Sequence, residues 1–369
     1  MPTSSILDFK RCGTIGRLCV AIGFAAISTA SWSTGCDTFV SSNTAPCVTG
    51  ESGKGVARST FSNPNLNVAV AIGPNLGASS ARPAFGGLAV TSSGIAAQTG
   101  AAAASGPSRW NAWLALGQND VANTFSPTRS SGHVGLSLLG VDYTFSNSIV
   151  AGIAASWDRT RVTVQSLNNG SFNGSGYNVA PYVSVPIGRN WLFDASVGFG
   201  RNDIDIVDNS PSFPGAPTAA GKTKSDRTFT SVAMSYATIV DKVMWTGKIN
   251  WVTNEDKFAA FTMYPLVGGG PVAASTLRVS QLRLGGQVAY NAGTLVPYFG
   301  LTYVRDLQSP NASPLAGQTP ANDKDGWLLA IGVNIFSRGA VSGGLLLSSE
   351  TGRQQVKNDV VMGNIAIRF

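Results

Sequence analysis

Charge is scarce in this chain. Asp, Glu, Lys and Arg make up 12 % of its 369 residues, about half the share usual in a soluble globular protein. Long apolar runs are missing too. After residue 30 no uninterrupted stretch approaches the roughly 20 residues that a membrane-spanning helix needs, and a mean hydropathy of +0.11 is too low for a bundle of such helices. Histidine occurs once, as His133. A metal centre therefore lacks ligands, and a Ser-His-Asp arrangement has a single candidate base. There is no G-x-S-x-G, no Gly-rich phosphate loop followed by Lys, and no long internal repeat. The formal net charge is +7, but no basic cluster is interleaved with aromatics, so no nucleic acid is expected as a partner. The chain reads as no enzyme and as needing no cofactor.

Glycine and strand-forming residues are plentiful, with 43 Gly, 17 Phe, 8 Trp and 8 Tyr. The N-terminus has the three-part form of a secretory signal. Lys10, Arg11 and Arg17 precede the short apolar core "LCVAIGFAAISTA", which ends on the small residues Ser28, Thr29 and Ala30. Residues 1–30 are therefore expected to be an export signal. Of the four cysteines, Cys12 and Cys19 lie within it; Cys36 and Cys47 lie close together beyond it. In an oxidising compartment those two suit a local disulfide. Residues 31–107 are rich in Ser, Gly, Pro and Ala, with little to build a core. They read as a flexible passenger or linker, with one strand-like piece at 67–73 and a short helix near 93–104.

From Trp110 the pattern changes to a period of two. In "NWLFDASVGFG", Trp191, Phe193, Ala195, Val197 and Phe199 take one side, while Leu192, Asp194, Ser196 and Gly198 take the other. "KVMWTGKINWV" and "GWLLAIGVNIF" repeat the alternation of an apolar and a mixed face. Turn signals divide this region into twelve strands, near 110–118, 133–145, 148–165, 171–187, 190–206, 223–239, 242–256, 276–291, 294–306, 324–336, 339–350 and 356–369. In strand 223–239, Phe229 falls out of phase with Val232, Met234 and Tyr236.

Short links, at 145–148, 187–190, 240–242, 291–294 and 336–339, alternate with longer ones at 119–132, 166–170, 207–222, 257–275, 307–323 and 351–355. A Greek-key sandwich gives no reason for that asymmetry. An up-and-down barrel with short periplasmic turns and longer outer loops predicts it. Closure also removes the edge strands that lipid would not tolerate. The fold class expected is all-β: a twelve-stranded antiparallel up-and-down transmembrane β-barrel over 108–369, after a mostly irregular N-terminal segment. Trp191, Phe193, Phe145 and Tyr143 stand beside the short turns, where an aromatic girdle would meet the membrane interface.

The strand phrases "SRWNAWLALGQND", "GHVGLSLLGVDYTFSNSIVAGIAASWDRTRV", "GYNVAPYVSVPIGRNWLFDASVGFGRND" and "LVPYFGLTYVRD", with the final strand, resemble the barrel domain of autotransporters over about 108–369. The ending "VVMGNIAIRF" resembles the terminal recognition strand of bacterial outer-membrane barrels, which the insertion machinery reads. Phe369, Ile367 and Ile365 fill its apolar places as an assembly signal. The resemblance implies a Gram-negative outer-membrane protein that anchors a preceding segment and displays or translocates it at the cell surface. The segment available here is much shorter than the family's long passengers. A passive pore or structural surface barrel, porin-like or adhesin-like, is the alternative. The partners implied are outer-membrane lipid and lipopolysaccharide, and, during biogenesis, the barrel-assembly machinery and periplasmic chaperones; the barrel is expected to be a monomer.

Strand phase also nominates the charged residues that face the lumen: Asp142, Asp158, Asp194, Lys248, Arg283, Glu350 and Arg368. Mixed-sign charges inside a barrel pair to brace the wall or tune ion passage. His133 reads as a rim residue beside the first long loop, with Asp120 and Asp158 near it.

Overall fold

The computed structural model describes residues 88–91, 94–97, 109–124, 129–145, 149–164, 169–188, 190–209, 218–265, 270–308, 324–336 and 341–369. Among them every regular element is a strand. These are β1 (Leu88–Thr91), β2 (Gly94–Ala97), β3 (Trp110–Asn123), β4 (Ser130–Thr144), β5 (Val150–Val164), β6 (Gly170–Ile187), β7 (Trp191–Asp208), β8 (Ala219–Val240), β9 (Val243–Phe258), β10 (Phe261–Met263), β11 (Gly270–Val272), β12 (Ser275–Tyr290), β13 (Leu295–Gln308), β14 (Asp325–Phe336), β15 (Val341–Thr351) and β16 (Val356–Arg368). β3 to β9 and β12 to β16 close one twelve-stranded barrel in which chain neighbours are sheet neighbours. The first and last strands, β3 and β16, complete the ring, antiparallel from Asn111↔Arg368 to Asn123↔Val356. The Trp110 N–H donates to the Phe369 carbonyl at 3.3 Å and the Phe369 N–H to the Trp110 carbonyl at 3.0 Å. The twelve-stranded ring therefore has no open edge, as a spanning sheet requires.

Alternation decides which way each side chain points. Along β8 buried and exposed positions alternate almost without a break. Outward positions carry an apolar belt that includes Trp245, Ile249, Leu329, Ile331 and Leu347, all exposed. A belt of that extent marks a lipid-facing surface. Inward positions carry Ser184, Ser235, Asn250, Gln287 and Asn334, all buried. Aromatic pairs border the belt on the short-turn side: the Trp110 and Tyr143 rings lie 4.9 Å apart, Tyr143 and Phe145 5.1 Å, and Trp191 and Tyr236 5.0 Å. A second aromatic border, not foreseen from the sequence, lies toward the long loops, where Tyr303 and Trp327 are 5.3 Å apart.

The strand boundaries follow the sequence reading closely, except at the long loops. Residues 119–123 and 130–132, expected in a loop, extend β3 and β4. Toward the long-loop ends of the strands the polarity of the wall is inverted. Asp120, His133, Arg161, Asp205 and Lys222 point outward, while Val121, Val134, Val162, Ile204 and Ile206 are buried inside the mouth. The strands have left the bilayer there, so charge faces water and apolar residues face one another. The link expected at 257–275 contains the β10–β11 hairpin, whose Met263, Phe261 and Val272 pack onto that apolar ring. The hairpin is tied to β8 by Ala220 and Tyr264, whose N–H groups each donate to the other's carbonyl at 2.7 and 2.8 Å.

Phe229 is inward and buried, in phase with Arg227 and Ser231. Its ring lies where the Cβ of any larger residue at Gly198 would stand, only 2.1 Å from that position. The apparent phase error is thus a cross-strand fit of a large ring over a glycine. At the N-terminal side, residues 94–97 are not helical. They pair as a strand with Leu88–Thr91, Val90 opposite Ile95; β-branched residues favour that pairing over the helix suggested by the surrounding alanines. The rest of 93–104, the strand-like piece at 67–73, the signal segment and Cys36 with Cys47 lie outside the described residues.

Candidate functional site: the charged lumen wall

The alternation that greases the outside gathers polar side chains inside, and most of the charged ones among the described residues fall into four groups. The first crosses the barrel wall. Arg227 on β8 donates from Nη1 to Asp158 on β5 at 2.7 Å and from Nε to Asp256 on β9 at 3.1 Å, all three side chains 0 % exposed. Asn254 donates to the other Asp256 oxygen at 2.9 Å. To reach β5 the guanidinium passes over Gly176 on β6, where a Cβ would stand 2.5 Å from Nη1 and 2.8 Å from the Asp158 Oδ1. Only glycine leaves that path open.

The second group lies between β12, β13 and the link after β15. Arg353 grips Asp306 with two parallel bonds of 2.9 and 3.0 Å and also bonds Glu350. Gln281 donates to Asp306 at 2.8 Å and accepts from Arg283 Nε at 3.1 Å and Nη2 at 2.8 Å. The bidentate geometry fixes both partners. The third lies toward the short turns: Asn111 and Tyr182 donate to Asp142 at 3.1 and 3.0 Å, and the Trp113 indole donates to the Tyr182 hydroxyl at 3.0 Å. In the fourth, Ser184 donates to Asp194 at 2.7 Å, and Lys248 is attracted by Asp194 and repelled by Arg283.

Of the residues nominated from sequence, Asp142, Asp158, Asp194, Lys248, Arg283 and Glu350 all stand at inward positions, divided among these groups. Arg283 and Glu350 share one of them. The Arg368 side chain lies outside the described residues. His133 does not join them. It points outward and its Nδ1 meets Asp120 Oδ1 at 2.5 Å, both exposed; Asp158, expected near it, is inside the wall with Arg227 instead. Strand parity separates them, since His133 pairs with the outward Arg161 and Asp158 takes the opposite face. Sequence reasoning missed Arg227, Asp256, Asp306, Arg353 and Gln281. The signal for Arg227 was available: it shares parity with Phe229, the residue that had looked misplaced. Arg353 fell in an expected loop, where parity says nothing.

A closed twelve-strand barrel with a braced polar interior and an apolar belt has a known parallel. The family model described as the autotransporter beta-domain matches residues 112–344. The chain belongs to the autotransporter β-domain family. Among solved structures, the translocator domain of autotransporter NalP from Neisseria meningitidis superimposes with a TM-score of 0.62 at 12 % identity, covering 71 % of this chain and 88 % of that one. The beta domain of the Bordetella autotransporter BrkA gives a TM-score of 0.56 at 12 % identity, over 71 % and 100 %. The transport unit of autotransporter AIDA-I from Escherichia coli gives 0.52 at 8 % identity, over 70 % and 90 %. At such identities these likenesses bear on the fold alone. No curated protein matches the chain significantly.

As an autotransporter β-domain the protein is a Gram-negative outer-membrane barrel, and barrels of this family are in general translocators rather than enzymes. That setting accounts for both faces of the wall: lipid outside the belt, and polar groups inside, where most of the charged side chains bond or face an opposite charge. The terminal residues Ile365, Ile367 and Phe369 lie on the outward face of β16, with Phe369 63 % exposed at the short-turn end beside the seam with β3.

Proposed function

We propose that this barrel anchors the segment 31–107 in the outer membrane and carries it to the cell surface, after residues 1–30 have directed export across the inner membrane. Family membership supports the reading. The observation that carries it is the place of β2. This strand shortly precedes β3 in the chain, yet it lies against β9, β12, β13 and β14, on the far side of the ring from β3. This piece of the chain before the barrel is therefore engaged with the wall away from β3, as a threaded segment would be. The paired charges of the lumen speak against a wide aqueous pore as the main purpose.

The test is protease shaving of intact cells bearing an epitope inserted near residue 50. Loss of the epitope from intact cells is expected. Protection in intact cells with cleavage only after the outer membrane is opened would leave the passive barrel as the better account.

The terminal strand is the assembly signal in this reading, with Ile365, Ile367 and Phe369 presenting an apolar edge to the insertion machinery. Phe369→Ser is expected to lower the amount of folded barrel in the membrane several-fold while leaving synthesis unchanged. The measurement is the heat-modifiable fraction on gels. Normal folded levels would show that the terminal aromatic is incidental.

A further inference from the structure

On the outward face of β3 to β7, side chains line up across the strands in rows. One row runs Leu116, Ser137, Trp157, Tyr177; the next, toward the long loops, runs Gln118, Gly135, Arg159, Ser175; the next has His133 and Arg161. Two small residues, Gly135 and Ser137, therefore sit between large ones. They floor a groove of about 720 Å³, walled by Leu116 on one side and by Trp157, Arg159 and Tyr177 on the other. Trp157 and Tyr177 are 53 % and 51 % exposed. Below this level the wall is apolar, with Leu139, Ala155 and Val179. Above it the wall is charged. The groove thus lies across the boundary between hydrocarbon and headgroups, where aromatic side chains settle.

The charges around it are unevenly matched. Arg201 pairs with Asp226 at 3.0 Å, Lys222 with Asp205 at 3.2 Å and Lys224 with Asp203 at 3.6 Å. Asp203, which touches the groove's far edge, is thus already opposed by a cation, and Asp120 is engaged by His133. Arg159 and Arg161 have no ion pair or hydrogen bond with any described residue. Two guanidinium groups without carboxylate partners, placed two residues apart on one face of β5, make a fork suited to phosphate oxygens.

We propose that this groove holds a phosphorylated, acylated glycolipid of the outer leaflet, with one acyl chain over Gly135 and Ser137 against Trp157 and a phosphate on Arg159 and Arg161. The site rests on the outer-membrane setting of the barrel and not on export of its N-terminal segment, so it stands or falls apart from the shaving experiment. A phospholipid fits less well, because the cations lie at the long-loop end, the outward side of the bilayer, where phosphorylated glycolipid is the anionic species.

The experiment uses the full folded chain in non-ionic detergent, with bound lipid counted by native mass spectrometry. The probes are diphosphorylated lipid A, the same lipid with its phosphates removed, phosphatidylglycerol and inorganic phosphate. Retention of diphosphorylated lipid A is expected. Loss of the phosphates, or the double substitution Arg159→Gln and Arg161→Gln, should each weaken it by about tenfold or more, as loss of charge-assisted hydrogen bonds implies. Ser137→Phe, which fills the groove from the lipid side, should weaken it while leaving both arginines in place. Lys222→Gln, in an existing ion pair, should change nothing. Heat-modifiable migration confirms that each variant is folded. Equal retention of phosphatidylglycerol, full competition by inorganic phosphate, or unchanged binding by the double variant would each overturn the site.

Discussion

Replacing Arg227 by Met should lower the stability of the folded barrel by about 3–5 kcal/mol, the usual cost of removing one partner from a buried charge network. Asp158 and Asp256 meet no solvent, and Arg227 is the cation that both of them bond. Met has nearly the same reach and keeps most of the packing. The loss therefore falls on two carboxylates left in a dry interior, each facing the other's charge. The measurement is the urea midpoint for loss of heat-modifiable migration in detergent. A second variant separates charge from shape. Asp158→Asn and Asp256→Asn added to Arg227→Met remove the stranded charges and should return much of the lost stability, because a neutral group of like shape costs less to bury than an unpaired ion. Single Arg227→Lys should not rescue fully, since one ammonium cannot reproduce the fork that spans from β9 to β5. An unchanged midpoint in Arg227→Met would mean that water reaches both carboxylates and that the network carries little of the barrel's stability.

That network shows where sequence reasoning stops. Parity along a strand tells which face a residue takes, and it puts Asp142, Asp158, Asp194 and Arg283 inside. It cannot tell which strands face one another across a lumen. Arg227 and Asp158 are joined over β6 and β7, and what permits the join is an absence, the missing side chain of Gly176. The twelve strands were legible because lipid imposes one rule on every outward position between the two aromatic borders. Beyond those borders the rule lapses. Toward the long loops in β3, β4 and β8 the outward positions take Asp120, His133 and Lys222, so a reading tuned to apolar-out alternation cuts those strands short. Arg353 was hidden for a related reason. It lies just past β15, where no periodicity operates, and only the folded chain brings it onto Asp306. The girdle facing the long loops was missed because Trp157, Tyr177, Tyr303 and Trp327 are spread over four strands, and only the barrel's registers bring them to a common level.

The lipid face makes the second large effect. Ile331 on β14 is 53 % exposed, in the middle of a row of outward Leu and Ile side chains. Its cross-strand neighbours are Phe299 on β13 and Leu347 on β15, which are also exposed. It lies well inside β14, several residues from either end, and hence far from both interfaces. Ile331→Lys places an ammonium near the bilayer midplane, at a cost of about 2–4 kcal/mol, and a Lys so far from the headgroups can snorkel only partly. The folded fraction in membranes should drop several-fold, while Ile331→Ala, which adds no charge, should assemble nearly normally. A soluble sheet packed on a partner would also suffer from Ile331→Lys, so a second measurement is needed. In a background with Cys36 and Cys47 replaced by Ser, Ile331→Cys in the assembled barrel should react with a lipid-soluble thiol reagent and resist a water-soluble one. Asn334 is the contrast. It lies three residues on, faces inward and is only 5 % exposed, against the edge of Gly344. Asn334→Cys should resist both reagents until the barrel is unfolded, because the lumen wall is packed there. Labelling of Ile331→Cys by the water-soluble reagent alone would place this face in water and remove the basis for a lipid-facing belt.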